Sequence, residues 1–414
     1  MNLSGKTFNY NEIHKMPKGV EKDYYIWRFL SQNDTTPPEA KSIIQDASHL
    51  NTKLQASYQK ITGQKAKLSR LKASPYEIER YESRRTQWNT QADANKQFKE
   101  GLSLLRRGKP LLAASYFDLA EQTYIKRRDK DKALFWLYQS NKKKIFLEKL
   151  NTSYHPNIYT LLAADILGQR YPKTITETLP STYLFGFDES DPLIWAEVKQ
   201  KMNEKNTNLD DLADDYKSQK SIGIHTYLKA KASKHTKAYF PMPYRDTLKH
   251  LDKKRQAIIY AIIRQETRFV PASVSRSFAL GLMQFMPFLV RHVAKQKNEK
   301  IDYDDMFKPK KALEYANFHL DYLDKWLYHP LFVAYAYNGG IGFTKKLIKN
   351  RKNFKRGKYE PYMSMEVIEN AEAREYGKKV LSNYVIYLNK LGISTRLLPY
   401  MKILFDPKQT DRFR

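Results

Sequence analysis

Apolar residues recur at three- and four-residue intervals along much of this chain, a spacing that a helix gathers onto one face and a strand does not. Ala113, Tyr116, Phe117, Ala120 and Tyr124 form one such series, and Ala133, Trp136 and Leu137 form another. Tyr159, Leu162, Ala163 and Ile166 form a third, with Gly168 placed as the residue just past a helix C-terminus. Small and aromatic residues alternating in this way suggest helix pairs stacked as a solenoid, without a repeat of fixed period, and the aromatics read as core. Glycine (15) and proline (18) are sparse, and no Asn-Gly or Asp-Gly pair lies between two alternating polar and apolar runs, so hairpins are not indicated. A mainly α chain is expected. Its 414 residues leave room for two or three domains with sizeable cores.

Lys and Arg number 73 against 44 Asp and Glu, a formal charge of +29. Such an excess speaks to partners and not to fold. It suits a nucleic acid, an anionic lipid surface, or a cell-wall polymer carrying peptide carboxylates. From Lys345 to Lys358 eight basic residues follow one another without an acid, a pattern that most often is a solvated face. The absence of cysteine rules out disulfides and thiolate metal sites, and leaves the compartment open between cytosol and periplasm. The opening residues, Met1 to Lys6, contain no apolar leader, as would also hold for a processed protein. The longest apolar runs, Ala279 to Val290 (broken by Gln284) and Leu331 to Tyr337, fall short of the roughly 20 residues that a membrane span needs. A soluble chain without a transmembrane segment is expected.

Met202 to Lys237 is polar and mixed in charge, and the cluster Tyr239-Phe240-Pro241-Met242-Pro243-Tyr244 follows it; a domain boundary is expected there. Hydrophobic density then rises. Ala257 to Phe269 reads as one helix, stopped at Val270 by Pro271, and Pro287 is suited to opening the next, Phe288 to Ala294. Ala316, Leu320, Leu323 and Leu327 give a core-facing stripe, whereas Leu331 to Tyr337 is too short and too apolar to assign by period.

Within the helix ending near Phe269, the step from Ile259 to Ile263 to Glu266 places a carboxylate on the buried face. Burial disfavours the ionised form, and a carboxyl kept protonated near neutral pH can donate a proton. A Glu neutralised by a buried Arg or Lys, or a stripe turning outward in its last turn, would explain the pattern equally. Gln284 and the Tyr337-Asn338 pair are also polar groups in apolar surroundings. Each alone fits a structural role, Gln284 bonding neighbouring backbone and Asn338 adopting a left-handed turn; together they resemble the few placed polar groups of a cleft. No Asp or Glu lies between Thr267 and Asn298, so the second carboxylate of a standard glycosidase must come from elsewhere or be dispensed with. There is no Walker or Rossmann glycine loop, no His-Glu-x-x-His, no ligand spacing among the histidines, and no GxSxG context for Ser275. Neither a cofactor nor a metal is expected.

The blocks Ile263-Arg264-Gln265-Glu266-Thr267-Arg268-Phe269, Ser275, Ala279-Leu280-Gly281-Leu282-Met283-Gln284-Phe285-Met286-Pro287 and Ala336-Tyr337-Asn338-Gly339-Gly340 resemble, in order, the motif set of soluble lytic transglycosylases, glycoside hydrolase family 23. Glu366-x-Ile368 with Glu372-x-Arg374-x-Tyr376 is similar to that family's last block. The resemblance implies an N-terminal helical superhelix, U-shaped or ring-like, and a C-terminal lysozyme-like catalytic domain. The expected divisions are residues 1–150 for the superhelical domain, 151–237 for a helical linker domain and 238–414 for the catalytic domain. It further implies periplasmic action on peptidoglycan, cutting between N-acetylmuramic acid and N-acetylglucosamine without water to leave 1,6-anhydro ends. Glu266 would serve first as acid and then as base.

By the same resemblance Ser275, Gln284 and Tyr337 hold the sugar or its acetamido group, Gly281 and Met283 shape the floor, Asn338 braces the turn, and Glu372 lies near the groove for the stem peptide. Partners implied are glycan strands, stem peptides and cell-wall synthases, with no nucleic acid. The chain departs from the family pattern at Thr267 (usually Ser), Phe278 (usually Gly), Leu289 (usually Thr) and Gly339 (usually Ala), and Lys308 to Lys311 reverse the charge of an Asp-Pro-x-x-Asn-Ile segment. Two rival readings remain: a muramidase on the same fold that uses water, and a basic helical scaffold in which Glu266 is structural.

Overall fold

A computed structural model describes residues 7–69 and 75–414; Met1 to Lys6, read above for a leader, lie outside them. The N-terminal half carries α1 (Val20–Phe29), α2 (Thr52–Thr62), α3 (Pro75–Arg106), α4 (Pro110–Thr123), α5 (Arg127–Asn141) and α6 (Ile158–Leu167). From α3 onward each of these packs on the next, the stacking of a helical superhelix. A middle stretch holds α7 (Pro192–Lys201) and α8 (Ile222–Ala232). The C-terminal, lysozyme-like part comprises α9 (Lys253–Glu266), α10 (Pro287–Lys297), α11 (Pro309–Asp324), α12 (Pro330–Gly339), α13 (Ile341–Lys349) and α14 (Ala371–Lys390). Helices shorter than nine residues are left unlabelled. Among the described residues β-structure is limited to isolated bridges, and no helix is long and apolar enough to cross a membrane.

The periodic segments form helices where the spacing placed them, and Gly168 closes α6 in the left-handed conformation (φ 66°). Leu331 to Tyr337, unassigned by period, lies inside α12, which opens with Pro330 and is capped by the His329 ring accepting from the Leu331 amide. Its apolar run is long because most of it is buried, down to 0% exposure at Leu331, Phe332, Ala334 and Tyr335. The polar stretch 202–237 contains a buried helix, α8, whose Gly223 abuts the turn at Phe269: a Cβ there would lie 1.9 Å from the Phe269 carbonyl oxygen.

Helix α9 starts at Asp252, whose carboxylate accepts from the Lys254 and Arg255 amides, and buries Ile258, Ile259, Ile262 and Ile263. It ends at Glu266, three residues before the end expected from Pro271. Arg268 and Phe269 adopt left-handed backbone (φ 52° and 70°), which turns the Phe269 ring back into the core beside Tyr260 and Tyr387. The stop is tertiary. The Thr267 hydroxyl bonds the Leu282 carbonyl at 3.0 Å, tying the helix end to the loop that carries Gly281 to Gln284. Thr retains the hydroxyl that Ser would supply there.

The N-terminal helix α1 is docked on this C-terminal part. Arg28, 6% exposed, forms a bidentate pair with Asp302 (2.6 and 3.0 Å) and reaches Asp304 at 3.0 Å. Trp27 stacks on Phe278 and on Tyr303 (centroids 5.5 and 5.7 Å), and Tyr24 meets Phe278 edge-on at 5.9 Å. Phe278, where the family pattern has Gly, therefore anchors α1, although its backbone is left-handed (φ 61°). Such a conformation costs a non-glycine residue about 1–2 kcal/mol, less than the ring gains by being 1% exposed. Lys308 and Lys311 pair with Asp305 (2.8 Å) and with Glu314 (2.8 Å) and Glu299 (3.4 Å), so the local acids answer the charge reversal. The eight basic residues from Lys345 to Lys358 are all exposed.

Phe278→Gly relieves the backbone but removes the ring, and is expected to lower stability by about 2–3 kcal/mol in urea unfolding. Combined with Trp27→Ala it should cost less than the sum, since both remove one contact. An F278G variant as stable as the parent would show that this anchor carries no weight.

Candidate active site

Glu266 ends α9 with its side chain partly exposed and its carboxyl desolvated. Burial raises that carboxyl to about 7; the nearby Glu372 charge pushes the same way, and a hydrogen bond from Tyr376 works against both. The Tyr376 hydroxyl donates to Oε1 at 2.6 Å. Among the described residues no Lys or Arg nitrogen lies within ion-pair distance of Glu266, so it is not a carboxylate neutralised by a cation. Tyr376 projects from α14, which packs along α9 and brings together two residues 110 apart in sequence. Burial and the Glu266 charge hold the Tyr376 and Tyr337 phenols protonated far above neutral pH.

The floor is built from an irregular loop. Leu280 and Phe285 exchange backbone hydrogen bonds of 2.9 Å in both directions, and Gly281 between them is left-handed (φ 71°). A Cβ at Gly281 would lie 1.8 Å from the Met306 carbonyl oxygen, so only glycine fits this approach. Gln284 is also left-handed (φ 52°); its Nε2 donates to the Ser273 and Gly281 carbonyls (3.2 and 2.9 Å), and among the described residues no group donates to its Oε1. Met283 buries its side chain and offers its carbonyl to the Tyr337 hydroxyl at 2.9 Å. Asn338 donates to Glu372 Oε1 at 3.1 Å, near the exposed first turn of α14. Ser275 accepts from the Ala279 amide at 2.9 Å, within the turn that presents Phe278. No group of three or more His, Asp or Glu side chains among the described residues converges as metal ligands.

Residues 249–360, which span Glu266, the Gly281 loop and Tyr337, match the family described as the transglycosylase SLT domain. Over 184 residues the chain is 26% identical to the soluble lytic murein transglycosylase of Salmonella typhimurium, covering 43% of this chain and 28% of that protein. Over 183 residues it is 25% identical to the protein of the same name from Escherichia coli K12, again covering 43% and 28%. The matched stretch is thus under a third of either relative's length. In fold, the chain is similar to the lytic transglycosylase Slt of Pseudomonas aeruginosa, solved as an inactive mutant, with a TM-score of 0.51 at 15% identity over 94% of this chain and 67% of that one.

Around Glu266 the structure gathers Tyr337 and, through Asn338, Glu372, with Gln284, Met283 and Gly281 in the loop tied to the end of α9. Ser275 is held in its own turn and makes no bond to these groups among those described. Tyr376, the hydrogen-bond partner of Glu266, was not among the expected site residues. Its signal was present, since it stands one helical turn after Glu372 in the last block. Glu366, from the same block, is structural: buried with Lys378 at 3.0 Å, it accepts from the Tyr159 hydroxyl and fastens α14 to α6.

The folded carboxyl of Glu266 binds its proton more tightly than an ordinary Glu, so its contribution to stability is complete below about pH 4.5 and is lost as pH rises through about 7. Glu266→Gln removes this slope. Its unfolding free energy is expected to exceed that of the parent by up to about 3 kcal/mol at pH 8, with a smaller gap at pH 5. A gap independent of pH would place the proton elsewhere.

Proposed function

We propose that the chain is a peptidoglycan lytic transglycosylase acting in the periplasm, with Glu266 as its single acid and base. The observation that carries this reading is a desolvated carboxyl with a pKa near neutrality and no cationic partner, supported by a tyrosine hydroxyl. Such a group is protonated often enough to donate to the glycosidic oxygen as the bond to the muramoyl anomeric carbon breaks. Left as a carboxylate, it takes the proton of the muramoyl C6 hydroxyl, whose oxygen closes on the anomeric carbon. The acid is regenerated and no water is consumed. Because the nucleophile belongs to the sugar, proximity supplies part of the rate and no second carboxylate is required. The Tyr376 hydroxyl stabilises the charged form between the two proton transfers. The unengaged Gln284 Oε1 accepts a donor of the sugar or its acetamido group, and Glu372 with Asn338 faces the stem peptide. Cell-wall synthases are proposed partners, to be sought by co-purification.

Glu266→Gln is expected to lower release of soluble muropeptides by about a hundred- to ten-thousandfold while the fold persists. Parent products should be lighter by one water than hydrolytic ones and lack a reducing end. Hydrated products would assign the site to a muramidase, and unchanged release in E266Q would end the proposal.

The pH profile separates the two neighbours. Tyr376→Phe removes a bond that favours the carboxylate, so the alkaline limb of activity should move to higher pH. Glu372→Gln removes a repelling charge and should move that limb lower. Shifts in one common direction would contradict the assigned roles.

A further inference from the structure

Between the superhelix and the catalytic part lies a cavity of about 230 Å³ that none of Glu266, Gln284, Tyr337 or Tyr376 lines. Seven cations line it: Arg128 and Lys132 of α5, Lys237 between α8 and α9, Arg264 of α9, Arg268 just beyond α9, and Lys378 and Lys379 of α14. Only Asp129 and Glu375 line it with opposite charge.

These acids do not neutralise the cluster. Glu375 pairs with Lys378 at 2.9 Å, a lysine already held by Glu366. Asp129 accepts from Gln91 at 3.0 Å and stands 3.7 Å from Arg128, whose buried Nε has no hydrogen-bond partner. Arg264 is satisfied without a carboxylate, donating to the Tyr239 carbonyl (2.9 Å) and to Asn383 (2.8 Å). Arg268 reaches only the ring of His235, at 3.4 Å, among hydrogen-bonding groups. Lys132 is the most telling. It is 8% exposed, rests on the Phe98 and Tyr124 rings (4.4 and 5.0 Å), and has no hydrogen-bond acceptor or ion pair among the described residues. Lys379 likewise has none, and burial with the charges of Arg128, Arg268 and Lys378 brings its ammonium down to about 8 against the opposing charge of Glu375. Burial similarly lowers Lys132, Arg264 (to about 10) and Arg268.

Holding Lys132 buried and Arg128 and Lys379 half-buried, with Arg268 at the exposed edge and no carboxylate in hydrogen-bond contact with the four, is costly unless something anionic joins them. We infer that this cavity is a binding site for a ligand bearing two or more anionic oxygen groups, carboxylate or phosphate, bridging Arg128 and Lys132 of the superhelix to Arg268 and Lys379 of the catalytic part. The inference does not depend on the role given to Glu266. A ligand there joins both parts of the chain, and its binding is expected to stabilise their contact.

Titration calorimetry of the full chain with pyrophosphate and with citrate, each against chloride at matched ionic strength, tests this. At least one should bind saturably at a Kd below about 1 mM. Tight pyrophosphate with weak citrate would identify a phosphate ligand, and the reverse a carboxylate one; both results support the site. Lys379→Gln, at a partly exposed position, should weaken binding about tenfold, Lys132→Met more, and Glu266→Gln not at all. The site is refuted if neither anion binds beyond the chloride control, or if K379Q and K132M bind as the parent does. Because E266Q should bind normally, failure here is distinguishable from failure of the catalytic reading.

Discussion

Keeping one carboxyl out of water with no cation beside it is the constraint to which the surrounding packing answers. Glu266 sits at the end of a helix that would otherwise run on, and it stays desolvated because the chain turns sharply beyond it. The Thr267 hydroxyl pins that end to the Leu282 carbonyl, and the tyrosine of a distant helix closes over the carboxyl with one hydrogen bond. A neighbouring Lys or Arg would have stabilised the ionised form and pulled its pKa down; the charged residue that acts on it among those described, Glu372, is acidic. The fold thus raises the proton affinity of this carboxyl by withholding solvent and counter-charge together.

That arrangement has a backbone cost concentrated nearby. Arg268, Phe269, Phe278 and Gln284 all take left-handed conformations, and Gly281 and Gly223 allow approaches that a single methyl group would block. Three of these positions are fastened by further contacts: Phe269 by the Tyr260 and Tyr387 rings, Phe278 by Tyr24 and Trp27, Gln284 by two carbonyls. The N-terminal helix α1, through Arg28 and its aromatic residues, is therefore part of what keeps the floor of the cleft in shape. The superhelical half also completes the cationic cavity.

Local patterns carried much of this in the sequence. The series from Ala113 to Tyr124 and the spacing from Ile259 to Glu266 were legible because helical period and burial act within a few residues. The end of α9 was not, since Pro271 is a weaker stop than the contacts of Thr267 and Gly223, made by segments 15 and more residues away. Leu331 to Tyr337 hid its helix because a segment buried all round shows no period. Phe278 read as a change in the cleft, yet its ring faces α1, more than 200 residues distant in sequence; the lysines from 308 onward are answered by acids three residues away, Asp305 and Glu314, and by the more distant Glu299. The cationic cavity, drawn from three helices and a loop, left no mark in the sequence beyond the overall excess of positive charge.

The account stands on the protonation of one side chain, and that can be observed directly. Carbon-13 NMR titration of the protein labelled at its glutamate carboxyls, with Glu266→Gln used to assign the resonance, reads the ionisation of Glu266 in the folded state. A resonance lost in the variant and titrating near pH 7 is the predicted result. A Glu266 resonance titrating between about pH 4 and 5, like an exposed glutamate, would contradict it.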